Sequence, residues 1–226
     1  MLIAVVGYGK MGREVDSVLR ERGHEPVPVL RGQAFPADCV VGIDFTAPDG
    51  IEANITAALA AGARYVVGTT GWSDRRDAVA QVVTAKKGGL VHAANFSLGV
   101  NIFYLIVRQA GALLAPFPEY DPYILERHHR EKKDAPSGTA KVLAGFLEAA
   151  GARDVPVTSL RAGGIVGDHT VGFDSGGDEI LLEHRARSRR GFAIGAVLAA
   201  EWIATRSGVH AFEAVLDDLL QARRRA

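Results

Sequence analysis

In the first half of the chain, apolar residues form short continuous runs that are separated by segments with helical spacing. The run from Leu2 to Val6 is β-branched, apolar and one strand long, which is typical of a strand buried on both faces of a parallel sheet. Comparable runs recur along the chain, so that strands are predicted at 2–6, 27–30, 39–45, 64–67 and 90–93. Strands that alternate with helices in this way predict a doubly wound parallel sheet of the α/β class.

The second half begins with a long apolar-faced helix and then changes its pattern. After the helix 99–114, a strand is predicted over 120–126 and a helix over 137–150. Three short strands then follow one another with only glycine-rich turns between them, at 157–161, 169–173 and 179–186. Because no helices intervene, these strands predict a second α+β domain with an open, mixed or largely antiparallel sheet. Two final helices are predicted at 192–204 and 211–220.

Composition and charge narrow the class of protein. The 226 residues include 26 Lys and Arg against 26 Asp and Glu, so the net charge gives no indication of a nucleic-acid or membrane partner. Cys39 is the single cysteine, which excludes an internal disulfide and a cysteine-rich metal site. The N-terminal apolar run is too short for a signal peptide, and no window approaches the roughly 18 apolar residues of a membrane span. These features predict a soluble, cytoplasmic protein.

The turn after the first predicted strand has the glycine spacing of a dinucleotide-binding fingerprint. The segment between that strand and an amphipathic helix has the pattern G-x-G-x-x-G. It consists of Gly7, Tyr8, Gly9, Lys10, Met11 and Gly12. Such glycines allow a tight turn and a close approach of the backbone to a pyrophosphate, which rests on the helix N-terminus. The alternative is a tight turn without a ligand, but the strand and helix on either side favour a Rossmann-type dinucleotide site.

The residue that follows the second strand bears on the choice between NADH and NADPH. An acidic residue there accepts hydrogen bonds from the adenosine ribose and favours NADH. This chain has Leu30 and Arg31 instead, and an arginine pairs well with a 2′-phosphate. Lys10 in the glycine loop could assist. We therefore favour NADPH; the alternative is that Arg31 is a solvated loop residue and that both cofactors bind.

Small polar clusters follow three of the predicted strands. Because the carboxyl ends of parallel strands meet at one edge of a sheet, where ligands bind, these clusters predict the wall of a nicotinamide pocket. Threonine and asparagine could hydrogen-bond the carboxamide, and Phe96 could pack on a ring. The residues concerned are Phe45, Thr46, Gly68, Thr69, Thr70, Asn95 and Phe96.

The stretch from Glu126 to Ala140 combines two imidazoles, a run of cations and a polar helix start. Neighbouring strand residues point to opposite faces, so His128 and His129 are expected to have different tasks. Histidine suits proton donation near neutral pH. The cation Lys132 and the backbone N–H groups that open the next helix would bind a small dicarboxylate; those groups belong to Ser137, Gly138 and Thr139.

Simpler interpretations of this stretch remain open. Ser137 and its neighbours could be a plain helix N-cap, since serine and threonine favour that position. The paired histidines could be structural or could bind a metal, but a metal site needs three or four convergent ligands. No H-E-x-x-H type of spacing occurs. We therefore predict no metal.

The residue order of this stretch resembles the signature of the 4-hydroxy-tetrahydrodipicolinate reductase family, E-x-H-H-x-x-K-x-D-A-P-S-G-T-A over residues 126–140. Five further segments resemble the family in order, at 44–46, 68–71, 93–101, 163–169 and 192–196. The resemblance implies NAD(P)H-dependent reduction of a cyclic, imine-derived dicarboxylate to tetrahydrodipicolinate, in lysine and diaminopimelate synthesis. It also implies a homotetramer assembled through the sheets of the second domain.

The resemblance assigns roles to individual residues. His128 falls on the proton donor, and Lys132 on the lysine that acts with it. Substrate contacts fall on His129, Lys132, Gly138 and Thr139, and cofactor contacts fall on the glycine loop, on Gly68 to Thr70 and on Ala93, Ala94, Asn95 and Phe96. The family's chain returns to its first domain, so we predict a dinucleotide-binding domain of 1–97 with 198–226. The substrate-binding and oligomerisation domain is then 98–197.

Three departures from the family pattern stand out. The glycine loop is one residue shorter and has Lys10 in place of an arginine, and the acidic residue after the second strand is missing. Leu198 stands where many members have a basic residue, and nothing in the sequence explains its effect. Two other functions compete with the reductase: a related imine reductase or amino-acid dehydrogenase, and a non-catalytic nucleotide-binding sensor. The presence of both His128 and Lys132 favours the reductase.

Overall fold

The structure is a computed structural model that describes residues 1–224. It divides into two compact units, one formed by residues 1–98 with the chain from residue 190 onwards, the other by residues 99–189. The first unit opens with strands and helices in alternation, which are β1 (Leu2–Val6), α1 (Lys10–Glu21), β2 (Glu25–Val29), β3 (Val41–Asp44), α2 (Ile51–Ala60), β4 (Arg64–Val67), α3 (Arg76–Ala85) and β5 (Gly89–His92).

The second unit has two helices and a small sheet. Its elements follow helix α4 (Leu98–Leu114) and are β6 (Asp121–His128), α5 (Gly138–Ala149), β7 (Val157–Arg161), β8 (Asp168–Asp174) and β9 (Glu179–Arg185). The chain then re-enters the first unit through α6 (Arg190–Ile203), β10 (Gly208–Ala211) and α7 (Phe212–Arg224). None of the helices within the described residues is long and apolar enough to cross a membrane.

The sheet topologies confirm the predicted fold class. Within residues 1–224, the first unit contains a six-stranded sheet in the order β10-β5-β4-β3-β1-β2, and its neighbouring strands are parallel. The sheet of the second unit has the order β7-β6-β8-β9, with β7 parallel to β6 and the other pairs antiparallel. The chain is thus a Rossmann-type domain with a second α+β unit that carries a mixed sheet.

Alternation along the strands places the core of the first unit on both faces of its sheet. Ile3 and Val5 pack into one apolar cluster with α1, α6 and α7, whereas Ala4 and Val6 pack into a second cluster with α2 and α3. Neighbouring strand residues point to opposite faces, so a continuous apolar run is what a sheet covered on both sides requires.

The structure differs from the predictions in an additional strand, in a longer last helix and in the residue at which the chain re-enters the first unit. Strand β10 was not predicted, because it is only four residues long, half exposed and starts at a glycine with φ +102°, so it lacks an apolar run. The helix predicted at 211–220 is α7, which continues to Arg224. The chain re-enters the first unit at residue 190, whereas 198 lies inside α6. The buried alanines along the whole of α6 pack into the core of the first unit. The entire helix therefore belongs to that unit, and the boundary lies before it rather than inside it.

Candidate active site

The glycine loop has the shape of an anion cradle. Gly7 adopts φ +82°, and a Cβ there would lie 2.6 Å from Cγ2 of Thr46. A Cβ on Gly12 would overlap the carbonyl oxygen of Gly7. Gly9 is the N-cap of α1, and no side chain of the described residues caps that helix. A Cβ on Gly9 would meet only open space. The first-turn N–H groups of α1 are therefore available to a phosphate, so these residues fit a dinucleotide pyrophosphate.

Arg31 lies exposed in the turn after β2. Gly7 donates its backbone hydrogen bond to Val29 at the end of that strand (2.9 Å), so the glycine loop and the turn with Arg31 adjoin. Lys10, the first residue of α1, is also exposed. The two predicted cations of the adenosine end thus follow adjacent strand ends, and both side chains face solvent.

The buried carboxylate of Asp44 organises the strand ends where the nicotinamide pocket was predicted. It has no exposed surface and accepts hydrogen bonds from several donors on β4, α2 and the strand-end loops. These are the Thr46 amide (2.8 Å), the Thr46 hydroxyl (2.6 Å), Asn54 Nδ2 (2.8 Å), the Tyr65 hydroxyl (2.9 Å) and the Thr69 hydroxyl (3.4 Å). Asp44 therefore holds Thr46 and Thr69 side by side.

Replacing Asp44 with asparagine should lower the free energy of unfolding by about 2–4 kcal/mol, because an acceptor oxygen becomes a donor that faces N–H and O–H groups in a dry site. It should also raise KM for the cofactor, since Thr46 and Thr69 lose their common anchor. Urea unfolding and initial rates test both effects, with Asp49→Asn, an exposed carboxylate nearby, as the matched control. Equal stability of the two variants would contradict the expectation.

The aromatic residues at this edge lie differently from the prediction. Phe96 is 1% exposed and packs against Phe45 and Phe212, with ring centroids 6.2 and 4.9 Å away. Its side chain belongs to the core, so the expectation that it packs on a nicotinamide ring is corrected. Phe45 is half-buried and covers Gly68, where a Cβ would overlap its ring. The buried ring of Phe96 anchors this loop in the core. The more accessible residues after β5 are therefore Ala93, Ala94 and Asn95.

In the second unit, strand β6 places Glu126 and His128 on the same face. They are two residues apart, and both are buried. His128 Nδ1 is in close contact with Oε2 of Glu126. Alternation along the strand puts their side chains next to one another, while His129 follows the end of the strand and is half-buried. The two imidazoles thus have separate environments, as the alternation predicted.

Arg161 at the end of β7 pairs with Glu126 through both guanidinium NH₂ groups. Nη1 donates to Oε2 (3.0 Å) and Nη2 to Oε1 (2.6 Å). Nη2 also donates to the backbone carbonyl of Asp134 (2.6 Å), which fixes the loop after the histidines. Burial raises the pKa of Glu126, but hydrogen bonds from Arg161, Ser159 and His128 outweigh it and lower the pKa to about 2. Glu126 is therefore an ionised carboxylate at neutral pH.

Two buried imidazoles lie next to one another behind this pair. The rings of His128 and His169 are 5.1 Å apart at an angle of 74°. Burial lowers the pKa of His128 below its ordinary value; Glu126 opposes this effect, and Lys132 and Arg161 add to it. Burial, together with His128, lowers the pKa of His169 to about 3. His169 is therefore neutral near pH 7, so His128 is the better candidate of the two for a proton donor.

Ser137 is committed to the scaffold. Its hydroxyl caps α5 by accepting the amide of Ala140 (3.2 Å) and lies 3.1 Å from Nε2 of His169. Its own amide donates to Glu126 Oε1 (3.2 Å), and the residue is buried. The plain N-cap interpretation therefore fits Ser137, and its assignment to substrate binding stays a prediction. Gly138 and Thr139 form the first turn of α5 and are at least partly exposed. Backbone N–H groups at such a helix start can bind an anion.

Lys132 lies in the loop between His129 and Asp134. Its amide donates to the carbonyl of His129 (3.1 Å), which makes a tight turn. Its Nζ pairs with Oδ1 of Asp134 (2.8 Å) and its side chain is 24% exposed. The lysine is close enough to affect the pKa of His128. A partly exposed cation beside the buried histidine is suited to bind a carboxylate.

Among the described residues, Glu126, His128 and His169 could offer ligand atoms within 4.8 Å of one another. Three ligands with an open position could hold zinc. Arg161, however, already pairs with both oxygens of Glu126, and its fixed charge opposes a second cation. The prediction that no metal is bound stays a prediction.

Several residues of these two sites were missed by the sequence reasoning. Glu126 had a signal, since it precedes His128 by two positions on a predicted strand and must share its face. Asp44 ends a predicted strand, as a site residue would. His169 lies in a segment that resembles the family, and Arg161 had no signal. The contacts of both could not be predicted, because each lies more than 30 residues from its partner along the chain and the strand pairing was unknown.

Sequence models of a known family cover nearly the whole chain. The model described as dihydrodipicolinate reductase, N-terminus, matches residues 1–96, and the one described as dihydrodipicolinate reductase, C-terminus, matches residues 99–216. The two matches meet close to the first boundary between the compact units, at residues 98 and 99.

Curated relatives agree over nearly full length. Proteins named 4-hydroxy-tetrahydrodipicolinate reductase from Christiangramia forsetii, Thermosipho africanus and Natronomonas pharaonis are 34%, 36% and 39% identical to this chain. The alignments cover 98%, 96% and 94% of this chain and 100%, 99% and 99% of the respective relatives.

Solved structures share the fold. Dipicolinate-bound dihydrodipicolinate reductase from Paenisporosarcina sp. TG-14 has a TM-score of 0.74 at 21% identity, over 95% of this chain and 98% of that one. An amine dehydrogenase from Mycobacterium smegmatis has a TM-score of 0.59 at 8% identity, over 92% and 94% of the two chains. At these identities the structures support the architecture alone.

Proposed function

The chain belongs to the dihydrodipicolinate reductase family, and on that premise we propose which of its residues perform the reaction. It is an NAD(P)H-dependent oxidoreductase that reduces 4-hydroxy-tetrahydrodipicolinate in lysine and diaminopimelate biosynthesis. In the overall reaction, the substrate, NAD(P)H and one proton give tetrahydrodipicolinate, NAD(P)⁺ and water. Its substrate is a small dicarboxylate.

His128 is the proton donor. The observation that carries this role is the buried pair of His128 with an ionised Glu126, the arrangement of an oriented imidazole acid. His128 protonates the substrate carbon next to the one that accepts hydride. Lys132 attracts a carboxylate of the substrate beside that histidine. Gly138 and Thr139 at the start of α5 receive a carboxylate through the N–H groups of the first turn, and His129 contacts the substrate from the strand end.

The first unit binds the cofactor. The loop from Gly7 to Gly12 holds the pyrophosphate at the start of α1, and the residues after β3, β4 and β5 line the nicotinamide end. They are Phe45, Thr46, Gly68, Thr69, Thr70, Ala93, Ala94 and Asn95, with Phe96 acting as the core anchor of its loop. A bound reduced nicotinamide supplies the hydride. The division of roles between a dinucleotide-binding unit and a substrate-binding unit follows from these placements.

The protein assembles as a homotetramer through the free face of the second sheet. That face exposes apolar side chains among ion pairs, including Leu160 and Leu181, which are 46% and 54% exposed, and Arg127 with Asp168 (3.2 Å). Exposed apolar patches rimmed by charge are typical of subunit contacts. The cytoplasmic location predicted from the sequence is part of this proposal.

The turnover assay follows the oxidation of NADPH and of NADH by absorbance, with the freshly made product of dihydrodipicolinate synthase as substrate. We expect turnover with at least one cofactor. An amino-acid dehydrogenase would instead oxidise amino acids with NAD(P)⁺ in the reverse assay, and a nucleotide sensor would bind the cofactor without consuming it. Absence of turnover with both cofactors would contradict the function stated here.

NADPH is the preferred cofactor, because Arg31 stands where an acidic residue would select NADH. Arg31→Ala should lower kcat/KM for NADPH about tenfold, the loss of one charge-assisted hydrogen bond, and leave kcat/KM for NADH unchanged. Arg108→Ala on α4, also exposed, is the matched control. An equal decrease in kcat/KM with both cofactors would show that Arg31 does not bind the 2′-phosphate.

A further inference from the structure

The buried carboxylate of Glu126 contacts three elements of the second unit, and these contacts determine how it acts on the proton donor. It meets His128 on its own strand, Arg161 on β7 and the Ser137 amide at the start of α5. Burying a carboxylate is costly even when it is paired, and apolar side chains commonly stabilise a core equally well. The fold alone therefore does not require a charge at this position.

The contact with Nδ1 determines which ring nitrogen exchanges a proton. An ionised carboxylate only accepts hydrogen bonds, and Glu126 is ionised because its pKa is about 2. Nδ1 of His128 therefore keeps its hydrogen in both the neutral and the charged ring. The proton that is gained or lost sits on Nε2.

Nε2 of His128 faces Gly167, the residue before β8. A Cβ at Gly167 would lie 3.0 Å from Nε2, well inside the ~3.5–4.0 Å of ordinary contact. Gly167 is not among the glycines with positive φ, so its backbone conformation is open to any residue. Its missing side chain is what leaves room beside Nε2.

We propose that Glu126 is the positioning residue of the proton donor: it holds the His128 ring so that Nε2 carries the transferable proton, and Gly167 leaves that nitrogen accessible. This rests on the function proposed above. In the step, the Nε2–H bond breaks and a C–H bond forms on the substrate carbon beside the hydride acceptor. The imidazolium becomes neutral, Glu126 keeps its negative charge, and solvent returns a proton to Nε2.

Four charged or titratable groups surround the imidazole: Glu126 on β6, Arg161 on β7, His169 on β8 and Lys132 in the loop. Burial lowers the pKa of His128, Glu126 raises it, and Lys132 and Arg161 lower it. His169 is neutral near pH 7, with a pKa of about 3. Glu126 is thus the group that favours the imidazolium, so its loss must lower the pKa further, whereas loss of Arg161 must raise it.

The first test compares Glu126→Gln with Arg161→Met by NMR titration of the His128 ring protons and by the pH dependence of kcat. We expect Glu126→Gln to lower kcat about tenfold to a hundredfold with little change in KM. The His128 pKa and the alkaline limb of kcat should move to lower pH in Glu126→Gln and to higher pH in Arg161→Met. Glu148→Gln, an exposed carboxylate on α5, is the matched control.

The second test leaves the Glu126–His128 pair intact and so does not depend on the folding of the first variants. Gly167→Ala should lower kcat about tenfold or more, because the added methyl crowds Nε2. Gly164→Ala is the matched control, since a Cβ there meets no atom within 4 Å.

Three outcomes overturn the proposal. They are a wild-type kcat and pH profile in Glu126→Gln, a shift of the His128 pKa in the same direction in both charge variants, and full activity in Gly167→Ala. Wild-type turnover, measured first with the same substrate, distinguishes this failure from failure of the proposed function. The NMR titration needs no substrate, so the pKa arm can be decided in either case.

Discussion

Replacing His128 with alanine is expected to reduce kcat by about a hundredfold or more, because the reaction loses its general acid. The dissociation constant of the cofactor should stay near its wild-type value, since the residues proposed to bind it lie in the first unit and His128 lies on β6 of the second. Stopped-flow turnover and fluorescence titration with NADPH measure the two quantities.

The pH dependence of activity is a second test of His128 as the proton donor. A donor must be protonated, so wild-type activity falls as the pH rises through the pKa of His128. Burial places that pKa below the ordinary value of 6.5 in the free enzyme, so the fall in kcat/KM should be centred below 6.5. In His128→Ala this limb should vanish. His210→Ala on β10 is the control, and an unchanged kcat in His128→Ala would refute the role of His128.

Replacing Lys132 with alanine is the second change with a large expected effect, a decrease in kcat of about a hundredfold. The substrate carries two carboxylates, and Lys132 is a partly desolvated cation beside the proton donor, where an ion pair is worth more than at an open surface. KM for the substrate should rise as well, while cofactor affinity stays near normal.

Lys133→Ala is the matched control for this experiment, since Lys133 is the exposed neighbour with the same charge. Because Lys132 lowers the pKa of His128, Lys132→Ala should also move the alkaline limb to higher pH. Equal effects of the two lysine variants would mean that only the net charge of the loop matters.

The network around Glu126 explains why these elements act together. Arg161 pairs with Glu126 and with the carbonyl of Asp134, whose carboxylate in turn pairs with Lys132. Ser137 links the start of α5 to the same carboxylate. The donor, the loop with the lysine and the helix start are therefore fixed to a single buried charge within the second unit.

The sequence alone was enough where structure follows from neighbours along the chain. The apolar run of β1 and the glycines after it determined a strand, a turn and a helix, because burial on both faces and the steric demands of the turn are local properties. Alternation along β6 separated His128 from His129 for the same reason. The family signature in 126–140 then identified the chemistry.

Tertiary structure decided what depends on residues that are far apart in the chain. Arg161 and His169 reach the active site only through the pairing of β7 and β8 with β6, and no pattern along the chain specifies that register. Phe96 follows a strand end, where a ligand contact was expected. Its ring is instead buried in the core of the first unit, because packing against Phe45 and Phe212 is more favourable than exposure to solvent. Ser137 had two interpretations at the sequence level, and the need to satisfy a buried carboxylate and a helix start made it a cap.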